Sequence, residues 1–87
     1  MKTKNAKDVA FEFVQYFCKQ ICQNKEDIDI QMTDDEKGTF ITIVVNPSDM
    51  GRLIGTNGQT IASLRLLVRR IGFRDKTPIA VKVLDSR

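Results

Sequence analysis

The segment of this chain best suited to chemistry is Gly55-Thr56-Asn57-Gly58, in which two glycines enclose two polar residues. Glycine has no Cβ atom, so another backbone can approach closely at these positions. Gly58 precedes a predicted helix, where unpaired N–H groups and the positive end of the helix dipole favour an anion such as phosphate. Arg52, on the preceding turn, adds a positive charge. The segment therefore predicts a loop that holds a phosphate backbone.

Two other interpretations of this loop fit less well. Asn57-Gly58 is a common hairpin turn, but a hairpin needs a strand on each side and both flanks here have helical patterns. A Walker A loop requires Gly-Lys-Ser/Thr at a fixed spacing, and no such triplet follows.

The chain shows no evident catalytic machinery. It contains no His, which excludes a His-based triad and His metal ligands, and its acids cluster in predicted turns without a base–nucleophile pair. Cys18 and Cys22 lie four apart on one helix, a spacing that does not favour a disulfide, and two thiols alone make a poor zinc site. We expect no enzyme activity, metal or cofactor, and free buried thiols in a reducing cytoplasm.

The charge is unevenly distributed along the chain. Residues 1–46 carry six Lys and eight acids, a balance of −2, whereas residues 47–87 carry eight Lys and Arg and three acids, a balance of +5. The basic half contains the glycine loop. A basic patch is the usual signature of a polyanionic partner, although charge alone fits a solvated basic face equally well.

Periodicity predicts six elements in the order α-β-β-α-α-β. The predicted helices cover residues ~5–23, 48–54 and 59–72, and the predicted strands cover residues 28–32, 39–45 and 78–84. Asn46 and Pro47 form a helix-start signal, and Gly55 can end the short helix. We expect Leu53 and Ile54 to anchor the short helix and Ile61 to anchor the long one. Residues 85–87 are expected to be frayed.

Apolar spacing predicts which helix faces are buried. The expected buried stripe of the first helix is Val9, Ala10, Phe13, Val14, Phe17 and Ile21, and that of the long helix is Ile61, Leu64, Leu67, Val68 and Ile71. A second strip, Phe11, Cys18 and Cys22, is either a partner surface or scattered surface residues. Leu66 faces away from the buried stripe of its helix and is another candidate partner surface.

The element order restricts the topology. The first two strands form an antiparallel hairpin, and a right-handed crossover through two helices returns the third strand parallel to the second. We expect an α+β domain whose three-stranded mixed sheet has residues 39–45 at its centre and three helices on one face. The chain is predicted to be a single domain, residues 1–87 with a core at about 5–85. No apolar run is long enough to cross a bilayer, and residues 1–8 do not resemble a signal peptide.

The segment Ile54-Gly55-Thr56-Asn57-Gly58-Gln59-Thr60-Ile61 resembles the I-G-x-x-G-x-x-I signature of KH domains. The element order is similar to that of the type II, bacterial form of the fold, and residues 50–55 and the last strand resemble the KhpA family of single-KH RNA-binding proteins. The resemblance covers about residues 5–85. It implies single-stranded RNA as the partner, with the GXXG loop clamping about four nucleotides.

The resemblance also implies which residues bind. Gly55, Thr56, Asn57 and Gly58 would hold the sugar-phosphate backbone. The neighbouring groove would be lined by Arg52, Leu53, Ile54, Gln59, Thr60 and Ile61. The facing wall is expected from the second strand or from the turn before it.

The loop departs from the common KH pattern because Thr56 and Asn57 are neutral where many KH loops carry Lys or Arg. Less Coulombic attraction predicts a shallower salt dependence of binding, unless Arg52 and nearby helix arginines compensate. Two functions stay open. One is an RNA binder that acts as a post-transcriptional regulator or RNA chaperone. The other is an adaptor that forms a homodimer or pairs with a larger KH protein, as KhpA-like proteins are thought to do.

Overall fold

The computed structural model describes residues 5–86; the predictions for residues 1–4 and Arg87 lie outside this range. The helices are α1 (Ala6–Ile21), α2 (Met50–Ile54) and α3 (Gln59–Phe73), and the strands are β1 (Asp29–Asp35), β2 (Gly38–Val45) and β3 (Ile79–Asp85). The predicted element order is therefore confirmed. The prediction that the last residues are frayed was wrong for Asp85 and Ser86. Asp85 pairs with Val45, and the Ser86 N–H donates to the Val45 carbonyl at 2.9 Å.

The three strands form one mixed sheet in the order β1-β2-β3. β1 is antiparallel to β2 and β3 is parallel to it, as expected from the hairpin and the crossover. In β2, alternate side chains are buried under the helices, namely those of Thr39, Ile41, Ile43 and Val45. β1 continues past Met32 to Asp35, so that only Glu36 and Lys37 make the turn. The molecule is an α+β domain with three helices and a three-stranded sheet, consistent with the type II KH fold.

α1 buries Ala10 and Val14 as predicted, but the centre of its buried face is shifted from the predicted stripe. Its fully buried residues follow four-residue steps, and Cys22 just beyond the helix continues them: Ala6, Ala10, Val14, Cys18 and Cys22. Small side chains dominate this column, which lets the helix backbone come close to α3. The larger predicted core residues Phe13 and Phe17 lie half-buried beside it, with ring centroids 6.4 Å apart. Cys18 and Cys22 therefore cannot form a partner surface, and that hypothesis was wrong.

α3 buries Ile61, Leu64 and Val68 as predicted, but Leu67 is 49% exposed. Ile61, Leu64 and Val68 span about 60° around the helix, whereas Leu67 lies outside this span, about 60° beyond Leu64. The predicted stripe was too broad because apolar spacing alone does not reveal where the neighbouring helix ends. Leu66 is 50% exposed, in agreement with its predicted outward orientation.

The buried carboxylate of Asp49 joins the end of α1 to the start of α2. Its two oxygens accept the backbone N–H groups of Gln23 and Asn24, each at 3.0 Å, and the Asn24 side-chain amide at 3.1 Å. Arg52 forms an ion pair with it at 3.4 Å. The bond from the Gln23 N–H is the main reason that the pKa of Asp49 lies below the ordinary carboxyl value, and the Asn24 and Arg52 contacts act in the same direction.

Asn46 starts the chain segment that leads into α2. Its side-chain oxygen accepts the backbone N–H of Ser48 at 2.8 Å, and Pro47 follows it, which confirms the predicted start signal. Between residues 5 and 86, no helix is both long and apolar enough to cross a membrane.

Asp49→Asn should lower the urea midpoint of unfolding at neutral pH, because the new amide group would face backbone N–H donors. A depressed native pKa stabilises the fold above the ordinary carboxyl pKa of about 3.9 and loses that effect as the pH falls below it. The midpoints of wild type and Asp49→Asn should therefore converge below about pH 4. Asp29→Asn, an exposed carboxylate on β1, is the control and should change the midpoint little. Equal midpoints of Asp49→Asn and wild type at neutral pH would contradict this role.

Candidate nucleic-acid interface

The loop between α2 and α3 has a backbone conformation that requires its glycines. Gly55 ends α2 with φ +80°, and Gly58 starts α3 with φ +73°. Asn57 between them also has a positive φ, +54°, a region in which asparagine is tolerated better than most side chains. The Gly58 N–H donates to the Gly55 carbonyl at 3.1 Å and closes the turn. The predicted loop between two helices is therefore present.

Gly55 lies against the first turn of α3. A Cβ atom at this position would be 2.7 Å from Thr60 Cβ and 2.9 Å from Thr60 N, and closer still to Thr60 Oγ1. A Cβ at Gly58 would meet nothing within 4 Å. The first glycine thus permits helix–helix packing, while the second leaves open space in front of the α3 N-terminus.

Two of the predicted lining residues are core residues instead. Leu53 is 0% exposed and Ile61 is 7% exposed, so neither side chain can line a surface groove. They anchor α2 and α3 to the sheet because both belong to the single hydrophobic core. Ile54 and Thr60 are partly exposed beside the loop. The predicted anchoring role of Leu53 and Ile61 is therefore confirmed, and the prediction that they also line the groove is corrected.

The outer side of the loop presents polar groups. Thr56, Asn57 and Gln59 are exposed. No side chain caps the N-terminus of α3, and its first turn contains no acidic residue. The positive end of the helix dipole consequently faces solvent without a competing carboxylate, an arrangement that suits a phosphate.

The positive charge near the loop is small. Arg52 is the only basic residue in the sequence between Lys37 and Arg65, and part of its charge is directed at Asp49. Farther along α3, Arg65 donates from Nε to the Val81 carbonyl at 3.2 Å and so lies across β3. The helix arginines expected to compensate for the missing charge in the loop therefore lie along α3 and not at the loop itself.

The turn before β2 lies at the opposite end of the sheet from the loop. Thr39 at the start of β2 donates to the carbonyl of Pro78 at 2.9 Å, and Pro78 follows the C-terminal end of α3. The loop precedes the N-terminal end of that helix, roughly 22 Å away at 1.5 Å per residue. The turn cannot face the loop, so that expectation was wrong. β2 itself is the central strand, and the end of β3 adjoins the end of β2 that leads to α2.

The two thiols are not reactive groups. Burial, with a smaller effect of Cys22, raises the pKa of Cys18 to about 12. Burial also raises the pKa of Cys22, and the nearby Asp49 adds to this effect while Arg52 opposes it. Both side chains are thus protonated thiols at neutral pH, poorly suited to nucleophilic attack or metal binding. They are free cysteines that pack in the core.

Asp49 is the residue near the site that sequence reasoning undervalued. The sequence identified it only as an acid in the first turn of a helix. Its partners Gln23 and Asn24 are 26 and 25 residues away, so no local pattern could reveal the contact.

Three Gly→Ala variants should separate backbone strain from steric contact in this loop. Gly55→Ala should lower the free energy of unfolding by about 2–4 kcal/mol, since it adds a contact with Thr60 to the left-handed strain. Gly58→Ala should cost about 1–2 kcal/mol from strain alone. Gly51→Ala, inside α2 with open space around it, should be neutral or stabilising by up to about 1 kcal/mol. Urea unfolding measures all three, and equal effects at the three positions would contradict the geometry.

Comparison with known proteins places this loop in a family context. A family model described as the KH domain of KhpA and KhpB matches residues 11–83. Among curated proteins, an RNA-binding protein KhpA from Mycobacterium bovis is 32% identical over 78 residues, which cover 90% of this chain and 94% of the relative.

Other bacterial relatives also match most of the chain. An RNA-binding protein KhpA from Streptomyces coelicolor is 33% identical over 63 residues, 72% of this chain and 80% of the relative. One from Chlamydia trachomatis is 24% identical over 76 residues, 87% of this chain and 97% of the relative. The family match, the element order and the glycine loop agree: the chain belongs to the KhpA/KhpB KH-domain family.

Proposed function

We propose that this protein binds single-stranded RNA by holding its sugar-phosphate backbone in the loop Gly55-Thr56-Asn57-Gly58. The observation that carries the proposal is the uncapped, acid-free N-terminus of α3 behind open space at Gly58. Phosphate fits this place because the positive end of the helix dipole attracts an anion. The relatives are named as RNA-binding proteins, which supports the same partner.

In this proposal the residues around the loop have distinct roles. Gly55 keeps α2 close to α3, and Gly58 leaves room for the RNA backbone. Arg52, Ile54, Gln59 and Thr60 form the adjoining surface, on which the bases of about four nucleotides lie. Leu53 and Ile61 support the site indirectly, because they hold the two helices on the sheet.

A neutral loop implies weak and sequence-tolerant binding. Thr56 and Asn57 add no charge, so few counterions are released and affinity depends only mildly on salt. Such a grip suits a cytoplasmic post-transcriptional regulator or RNA chaperone, which must contact many RNAs and release them. No chemistry on the RNA is proposed.

Substitutions that add negative or positive charge to the loop should test the proposal. Thr56→Asp with Asn57→Asp should abolish RNA binding in fluorescence anisotropy, because two carboxylates would face the phosphates. Asn57→Lys is the matched control and should tighten binding, adding roughly 0.7 to the slope of log affinity against log salt. Both substitutions fall at exposed positions, and circular dichroism checks that the fold is kept. RNA affinity that does not change in the double-Asp variant would refute the proposal.

A second candidate function is association with another KH domain, as a homodimer or with a larger KH protein. Its specific support is the pair Leu66 and Leu67, each about half exposed on α3. Phe11 is partly buried against the core and contributes less surface. Two copies would present two weak RNA grips on one particle and raise avidity without a new RNA contact. Association and RNA binding are therefore compatible.

Sedimentation of wild type against Leu66→Glu and Leu67→Glu tests association. A charge inside an apolar interface is costly to bury, so we expect the variant at the interface to shift the protein from dimer to monomer. Thr33→Glu, at an exposed position of β1, is the control and should sediment like wild type. If wild type is monomeric at all concentrations tried, the adaptor function fails. If only Leu67→Glu dissociates the dimer, Leu66 is not the contact.

A further inference from the structure

A second feature on α3 lies at the end of the helix opposite the glycine loop. It is a cleft of about 430 Å³ whose largely apolar wall is formed by Arg69, Phe73, Lys76, Thr77 and Pro78. Phe73 is 63% exposed, and its ring packs on no other aromatic ring in residues 5–86. None of these residues takes part in the proposed loop site.

The cleft is preformed because the chain that lines it is fixed by hydrogen bonds. The Thr77 N–H donates to the Gly72 carbonyl at 2.9 Å, and Lys76 has a positive φ of +54° that turns the chain back. The carbonyl of Pro78 accepts the Thr39 N–H at 2.9 Å, which ties the far wall to β2. Phe73 and Pro78 are therefore held apart by the backbone and not by a flexible loop.

The side chains that line the cleft are of the types that bind a nucleotide. An exposed aromatic ring offers a stacking surface to any base, and a neighbouring cation attracts the phosphate. Arg69 and Lys76 supply two cations for which the structure shows no ion pair within residues 5–86, whereas Arg74 nearby pairs with Asp75 at 3.7 Å. A second copy of the same cleft is a poor occupant, because it would bring like charges together.

We propose that this cleft binds a further nucleotide of the same RNA strand, with its base stacked on Phe73 and its phosphate beside Arg69 and Lys76. The inference rests on the proposed function, since the strand is the one held by the glycine loop. Arg65, Arg69 and Phe73 follow one another at four-residue steps and so form a row on one side of α3. The row runs from the middle of the helix to the cleft.

The separation of the two sites gives the proposal a length dependence. Phe73 is the last of the fifteen residues of α3, and Gly58 directly precedes the first, so the two lie roughly 22 Å apart along the helix axis. About four nucleotides fill the loop site. A tetranucleotide in that site therefore does not reach the cleft, and only a longer strand can occupy both.

Titrations with a tetranucleotide and a dodecanucleotide of one composition test the cleft. Phe73→Ala should weaken binding of the dodecamer roughly 5- to 150-fold, the range for loss of one base–aromatic stack, and leave the tetramer within about twofold. Arg69→Gln with Lys76→Gln should also weaken only the dodecamer. Tyr16→Ala is the matched control, because Tyr16 is a 65% exposed aromatic residue on α1, and it should bind both like wild type.

Amide NMR shifts provide a second readout that needs no substitution. The tetramer should move signals of residues 55–60 alone, and the dodecamer should also move those of residues 73–77. The cleft proposal is overturned if a saturating dodecamer leaves residues 73–77 unmoved, or if Phe73→Ala alters sedimentation and not RNA affinity. The loop proposal fails separately, when the Thr56→Asp, Asn57→Asp variant binds the tetramer like wild type.

Discussion

The position of the glycine loop depends on one buried carboxylate. Asp49 is inaccessible to solvent and accepts the N–H groups of Gln23 and Asn24, which have no helical partners beyond the end of α1. A buried charge is tolerated only when its hydrogen bonds are complete, and here both oxygens are used. The contact fixes α2 against α1, and α2 is only five residues long. Together with the buried side chain of Leu53, it gives so short a helix one orientation.

In the proposed function, the loop acts through backbone geometry more than through charge. Gly55 lets the first turn of α3 approach α2, and the N-terminus of α3 is left free of caps and acids. Fixed N–H dipoles bind an anion without the cost of ordering a long side chain. A site of this kind favours contact with any RNA backbone over recognition of one sequence, because phosphates carry no sequence information.

The charged side chains are arranged along α3 instead of around the loop. Arg65 crosses to the β3 backbone, and Arg69 continues the same side of the helix toward Phe73. This arrangement gives a weak local grip and a longer basic path beside it. Affinity would then rise with RNA length, as it also would if two copies of the domain associated.

How much of this was predictable differs between the fold and the site. The element order, the strand pairing and the helix start at Asn46 follow from local periodicity and capping, so the sequence predicts them well. The burial of Leu53 and Leu67 was predicted less well. Leu53 was expected both to anchor α2 and to line the groove, and its side chain lies wholly in the core, whereas Leu67 was predicted to be buried and is half exposed. Both errors arise because a short apolar stretch does not reveal which side its neighbours cover.

The sequence by itself determined the glycine loop, the helices on either side of it and the neutral residues at its centre, because these depend on residues within a few positions of one another. Only the tertiary structure decided that Asp49 holds α2, that the turn before β2 lies away from the loop, and that Phe73 and Pro78 form a cleft. Those features join residues distant in the chain, and their distances are set by how the helices pack on the sheet.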